Sequence, residues 1–94
     1  MMHILVHHKV KNYPEWKKIF DEHATTRKKS GSGGGHLFRS SEDKNDVFIM
    51  FEWDAPENAK KFIESDDLKN VMSKAGVIGK PDVHFLDMGK KFIP

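Results

Sequence analysis

Ninety-four residues, 37% of them apolar and 32% charged, suit one folded domain (residues 1–94) and cannot hold two. Seven Phe and two Trp argue against disorder, and a net charge of +2 with basic residues scattered among acids excludes a continuous nucleic-acid stripe. The absence of cysteine removes disulfides, thiolate catalysis and cysteine-based zinc or iron–sulfur sites.

A domain this small buries a modest share of its surface, so self-association is a natural way to cover more. The opening MMHILVHHKV is too short and too histidine-rich for a signal peptide, and no apolar run approaches a membrane span. These features lead to the expectation of a soluble, cytoplasmic protein with no membrane partner. Lys17-Lys18, Lys28-Lys29 and Lys60-Lys61 read as solvated helix faces.

Met2 to Val10 reads as a strand, with Ile4, Val6, His8 and Val10 on one parity and His3, Leu5, His7 and Lys9 on the other. Asn12 then caps a helix whose stripe carries Tyr13, Trp16, Phe20, His23, Ala24 and Arg27. Arg27, Lys28 and Lys29 complement the helix dipole at its end, and Gly31 supplies a left-handed cap. The run Gly31-Ser32-Gly33-Gly34-Gly35 follows a helix and precedes a strand. That is the wrong order for a phosphate loop, so a plain connection is expected.

Gly35 to Ser41 is expected as the second strand, Ser41 to Asp46 as a turn, and Val47 to Trp53 as the third strand of a hairpin. This third strand is apolar on both parities: Val47, Ile49, Phe51 and Trp53 on one, Phe48 and Met50 on the other. A strand with two apolar faces is covered on both. Helices cover only one, so a second copy of the chain is expected on the other.

Asp54 is expected to cap a second helix using Ala59, Phe62 and Ile63. Ser65-Asp66-Asp67 interrupts it and caps a further segment with Leu68, Val71, Met72 and Ala75 inward. After Gly76, Pro81 opens a last strand, Val83 to Met88. Gly89 to Pro94 is a tail whose Phe92 and Ile93 are available to dock on a partner. The cap, first-turn Pro and Glu of Asn12-Tyr13-Pro14-Glu15 recur in Asp54-Ala55-Pro56-Glu57, each after an apolar strand. Aligning the two places Phe20 on Phe62 and Lys18 on Lys60. Two strand–helix–strand halves follow. The fold class is α+β: a ferredoxin-like βαββαβ domain with a four-stranded antiparallel sheet of order 4-1-3-2. Strands one and three are expected as parallel neighbours.

The segments VHHKVKNYPEWKKIFDEH, the glycine loop with LFR after it, FEWDAPENAKKFIESDDL and MSKAGVIGKPDVHFL together resemble the dimeric α/β-barrel superfamily over His3 to Asp87. Within it, the resemblance is to the antibiotic-biosynthesis-monooxygenase-like branch. It implies two sheets packed face to face in a homodimer with helices outside. The superfamily spans cofactor-independent monooxygenases, haem-degrading enzymes, isomerases, cyclases and non-enzymatic relatives, and fold alone does not choose among them. The haem-degrading pocket uses an Asn, a Trp and an iron-ligating His. Here His8, Phe62 and Met72 occupy those positions, so haem degradation is not expected and no cofactor is assigned.

Six histidines invite a metal reading, but there is no HxH spacing and His7-His8 point to opposite faces of a strand, so no metal site is expected. Equating the two halves puts His8 level with Met50 and Val10 with Glu52, so His8 and Glu52 are expected on one sheet face. Arg39 joins them if the hairpin register is even, and His23 reaches inward from the first helix. In this reading His8 is a general base stabilised by Glu52, and Arg39 stabilises an enolate or phenolate. Phe20, Met50, Phe62 and Met72 line a chamber for a small apolar or aromatic ligand. His7 is the alternative to His8. An Arg39–Glu52 ion pair holding the sheet or dimer together is the structural alternative. The function expected is a cofactor-independent monooxygenase-like or isomerase-like enzyme acting on a small aromatic or polyketide-type molecule. The alternative is a non-catalytic ligand-binding or stress-response homodimer.

Overall fold

A computed structural model describes residues 2–94. The order is β1 (Met2–Val10), α1 (Tyr13–Glu22), α2 (Ala24–Ser30), β2 (Ser32–Arg39), β3 (Asp46–Trp53), α3 (Pro56–Glu64), α4 (Asp66–Lys74) and β4 (Val77–Leu86). The strands form one antiparallel sheet in the order β2-β3-β1-β4, the expected ferredoxin-like arrangement read from its other edge. None of the helices among the described residues is long and apolar enough to cross a membrane.

One expectation about direction is corrected. β1 and β3 are antiparallel, pairing Met2 with Trp53, His3 with Glu52 and His8 with Val47. The α1–α2 crossover returns β2 parallel to β1, and β3, as the hairpin partner of β2, threads back between them. The pseudo-repeat identified the two halves correctly, but equivalent strands in two halves need not be parallel.

Asn12 caps α1, its side chain accepting from the Glu15 amide at 3.1 Å, and Ser65 caps α4 by accepting from Leu68 at 3.1 Å. The second helix starts otherwise than expected: Ala55 is its N-cap, without a side-chain bond. The Asp54 carboxylate instead accepts from the Asn58 amide at 3.1 and 3.2 Å. It also lies against Gly31, which closes α2 at φ 118° and has no room for a Cβ. The first helix breaks at His23 into α1 and α2.

The glycine run is strand, not loop. β2 begins at Ser32, with a register shift between Ser32 and Gly34. At Gly35 a Cβ would stand 2.0 Å from the Met50 carbonyl oxygen, so only glycine permits this approach of β2 to β3. β4 begins at Val77, six residues before the expected Val83. Pro81 is tolerated inside it because β4 is an edge strand.

The sheet has two unlike faces. Met2, Ile4, Val6 and Val10 of β1, with Val47, Ile49, Phe51 and Trp53 of β3, are buried beneath the helices with Trp16, Ala59 and Phe62. Trp53 is fully buried, and its indole N–H donates to the Ser30 carbonyl at 3.2 Å, fixing the end of α2 over the sheet. On the opposite face no helix or tail covers Leu5, Phe48 and Met50, which are half-buried only by their neighbours, and Phe38, which is 55% exposed. The tail does not cover it: Phe92 and Ile93 are exposed.

Candidate functional site

A cavity of about 310 Å³ lies between the helix side of the sheet and the helices. Val6, Ile49, Phe51 and Val83 form its floor, and Trp16, Phe20, Phe62, Ile63 and Met72 form walls. The stripe of α1 and the inward face of α3–α4 dictate this lining, since both present apolar side chains at helical spacing toward one sheet face. Polar atoms enter the lining through His8, His23, Arg27, Lys69 and Lys80.

His8 is 6% exposed, and its Nδ1 has no hydrogen-bond partner. Its ring meets Trp16 edge-on at 5.5 Å between centroids. Burial pushes its pKa below the ordinary 6.5, and the charge of neighbouring His7 pushes the same way. A backbone hydrogen bond and Asp46 oppose them more weakly. The result is an imidazole that is neutral at pH 7 in an apolar wall. His23 also reaches the cavity. Its Nε2 lies 3.0 Å from Asp67 Oδ2, and its ring packs 5.8 Å from Phe62, so it joins the end of α1 to α4.

Of the expected set, the structure brings together His8, His23, Phe20, Phe62 and Met72 in the cavity. It does not bring Glu52 or Met50 there. Glu52 pairs with His3 across β1 and β3, on the open face, with its carboxylate 4.0 Å from His3 Nε2. Met50 pairs with Leu5 on that same face. Both displacements come from a one-residue offset at the second cap. That cap is Ala55, not Asp54, so aligning it with Asn12 puts His8 level with Phe51 and Val10 with Trp53, and leaves Met50 and Glu52 on the opposite face. Arg39 does share the face of His8, through the row Arg39–Val47–His8, but it does not line the cavity. Its guanidinium sits 3.6 Å over the Tyr13 ring, and its Nε donates to the Lys44 carbonyl at 2.9 Å. The Arg39–Glu52 ion pair is therefore not formed. His7, the alternative base, lies on the open face, stacked on Phe48 at 4.1 Å and hydrogen-bonded to Asp46, with Asp82 at 3.7 Å.

The residue missing from the expected set is Arg27. Its Nη1 donates to the Phe20 carbonyl at 2.7 Å and its guanidinium lies 3.8 Å over the Phe20 ring, in the cavity lining. Burial lowers its pKa from the ordinary arginine value, with Asp21 opposing, yet it remains a cation. The available signal is its place on the helical stripe with Phe20 and His23, which the structure divides between α1 and α2. Among the described residues, no group of three or more His, Asp or Glu side chains is placed to hold a metal ion.

No protein-family model and no curated protein sequence matches the chain. Solved structures do. An antibiotic biosynthesis monooxygenase-like protein from Bordetella bronchiseptica superposes with a TM-score of 0.78 at 17% identity, over 95% of this chain and 97% of that one. Another from Caulobacter crescentus gives 0.73 at 19%, over 95% and 90%. SnoaB, a cofactor-independent oxygenase from Streptomyces nogalater, gives 0.72 at 11%, over 99% and 96%. At these identities the likeness shows the fold, and that fold is the one adopted by the antibiotic biosynthesis monooxygenase-like proteins.

Proposed function

We propose that this chain is a cofactor-independent, monooxygenase-like or isomerase-like enzyme that deprotonates a small aromatic or polyketide-type molecule. The reading rests on one observation, the imidazole of buried His8 in the wall of an apolar cavity. A depressed pKa keeps the ring neutral at pH 7, so it can accept a proton there. The acid it meets is a phenol, or a C–H group beside a carbonyl. The low dielectric of the wall strengthens the attraction between the resulting anion and Arg27. From that anion, an oxygenase proceeds by direct reaction with oxygen and an isomerase by reprotonation at another carbon. Arg27 takes the role first assigned to Arg39, and Glu52 has none. SnoaB, a cofactor-independent oxygenase of the same fold, makes the oxygenase branch the first to test.

The working form in this proposal is a cytoplasmic homodimer paired through the open sheet face. That face has an apolar centre of Leu5, Phe38, Phe48 and Met50. Charges of both signs flank it: Lys9 beside its cross-strand partner Asp46 at one end, Glu52 at the other, and Asp82 on β4. A two-fold pairing sets the same patch of each copy against the other. Four strands about 4.8 Å apart and about 26 Å long give roughly 500 Å² in plan, short of the ~800 Å² per partner of a stable pair. The exposed Met88, Phe92 and Ile93 of the tail supply apolar surface for the remainder.

Oxygen uptake with a panel of hydroquinones and anthrones tests the reaction. The enzyme reading expects uptake that His8→Ala removes. Uptake unaffected by His8→Ala would detach the reaction from this residue. A second reading, a non-catalytic small-ligand-binding homodimer, is favoured by the lack of any Asp or Glu in the cavity lining to stabilise a protonated His8. It expects ligand binding without uptake.

A further inference from the structure

The charge in the cavity lining has one sign. Arg27, Lys69 and Lys80 line it, and among the described residues no Asp or Glu does. Among the described residues, none of these three cations forms an ion pair with a carboxylate. Asp67, bonded to a lining residue, is held by His23. Lys69 and Lys80 are exposed and mark where the cavity meets solvent, while Arg27 is half-buried. Arg27 uses one N–H on the Phe20 carbonyl and lays its plane on the Phe20 ring, which leaves further donors of its fork for another acceptor. A partly desolvated cation without an anion is costly, and a cleft lined by one sign of charge with apolar walls concentrates the opposite sign.

We infer that the ligand of this cavity is an amphiphilic anion. Its apolar body lies against Trp16, Phe20 and Phe51, and a carboxylate or phenolate head meets Arg27 and the lysines at the rim. The inference rests on the cavity being the ligand site, as proposed above, but not on any reaction there. It gives the three cations a selective role: they admit an acid and reject its neutral analogue of equal shape. The volume of about 310 Å³ stands at the small end of ligand pockets, which fits a body of one or two rings or a medium alkyl chain.

Isothermal titration of the intact protein with two matched pairs tests this: 2-naphthoate against 2-naphthamide, and decanoate against decanamide. In at least one pair the acid should bind about tenfold tighter or more, the worth of one charge-assisted hydrogen bond. The double variant Lys69→Gln, Lys80→Gln alters only exposed side chains, so it keeps the fold. It should cut that preference severalfold while leaving amide binding in place. Adding Arg27→Gln should abolish the preference. Amides binding as well as acids would overturn the inference and leave the cavity as a ligand site. Failure of all four probes to bind would overturn both. An acid preference that survives loss of all three cations would place the anion elsewhere and also overturn it.

Discussion

Replacing His8 by Leu should stabilise the protein while removing its proposed base. The wild-type residue leaves Nδ1 buried without a partner, a desolvation cost of about 1–3 kcal/mol that a leucine does not incur. Against that, the substitution loses the edge-on contact with Trp16, worth about 0.5–1.5 kcal/mol, and fits the site imperfectly. A net gain of about 1 kcal/mol above pH 7 follows, or about 4–8 °C in Tm for a domain of this size. The pH dependence carries a definite sign. Burial depresses the folded-state pKa of His8 below 6.5, so between that depressed value and 6.5 the unfolded chain binds more protons than the folded one. Wild-type stability attributable to His8 is therefore constant above 6.5 and declines as pH falls through that window, by at most about 1.4 kcal/mol per pH unit. His8→Leu lacks this decline. Thermal melts of both proteins from pH 5 to 8 should show the variant ahead throughout and its lead widening below pH 6.5. A lead that stays constant with pH, or a variant less stable at every pH, would refute the burial argument.

Gly35→Ala forces a Cβ to within 2.0 Å of the Met50 carbonyl oxygen and should cost more than about 2 kcal/mol by opening the β2–β3 ladder, measurable by urea unfolding. Phe48→Asp places a charge at the centre of the open face. It should convert the proposed dimer to monomer in light scattering at micromolar concentration, and a wild type already monomeric there would count against the pairing. Glu52→Ala and Met50→Ala, both outside the cavity, should leave oxygen uptake within about twofold of wild type once dimerisation is matched. The pH profile of kcat/KM should fall on the acid side at a value below 6.5, as His8 takes up a proton.

The architecture was largely legible in the residues. Alternation in Met2–Val10, the two-faced Val47–Trp53 and the Asn12 and Ser65 caps each carry local information that the tertiary structure does not override. The site was legible only in part. Phe20, His23, Phe62 and Met72 are placed by the spacing within single helices, and all four, with His8, line the cavity. Glu52 and Met50 are placed by relating one strand to the other through the two helix caps, and a one-residue offset there inverts every face. Asp54 has the chemistry of a cap, so the residues alone do not reveal that Ala55 holds that position. The early starts of β2 and β4 escaped notice because Gly33–Gly35 and Pro81 disfavour strands on average. Here a close backbone approach at Gly35 and an edge position at Pro81 make those same residues acceptable. Arg27 was seen on its stripe, but a cation on an apolar stripe gains meaning only once the cavity beside it is visible.

Proton abstraction by His8 can be read without waiting for oxygen. Under argon in deuterated buffer at pH 7, wild-type protein should accelerate exchange of the methylene protons of anthrone, followed by proton NMR, and His8→Leu should return exchange to the rate in buffer alone. Equal acceleration by the two proteins, or none by either, would contradict a base at this position.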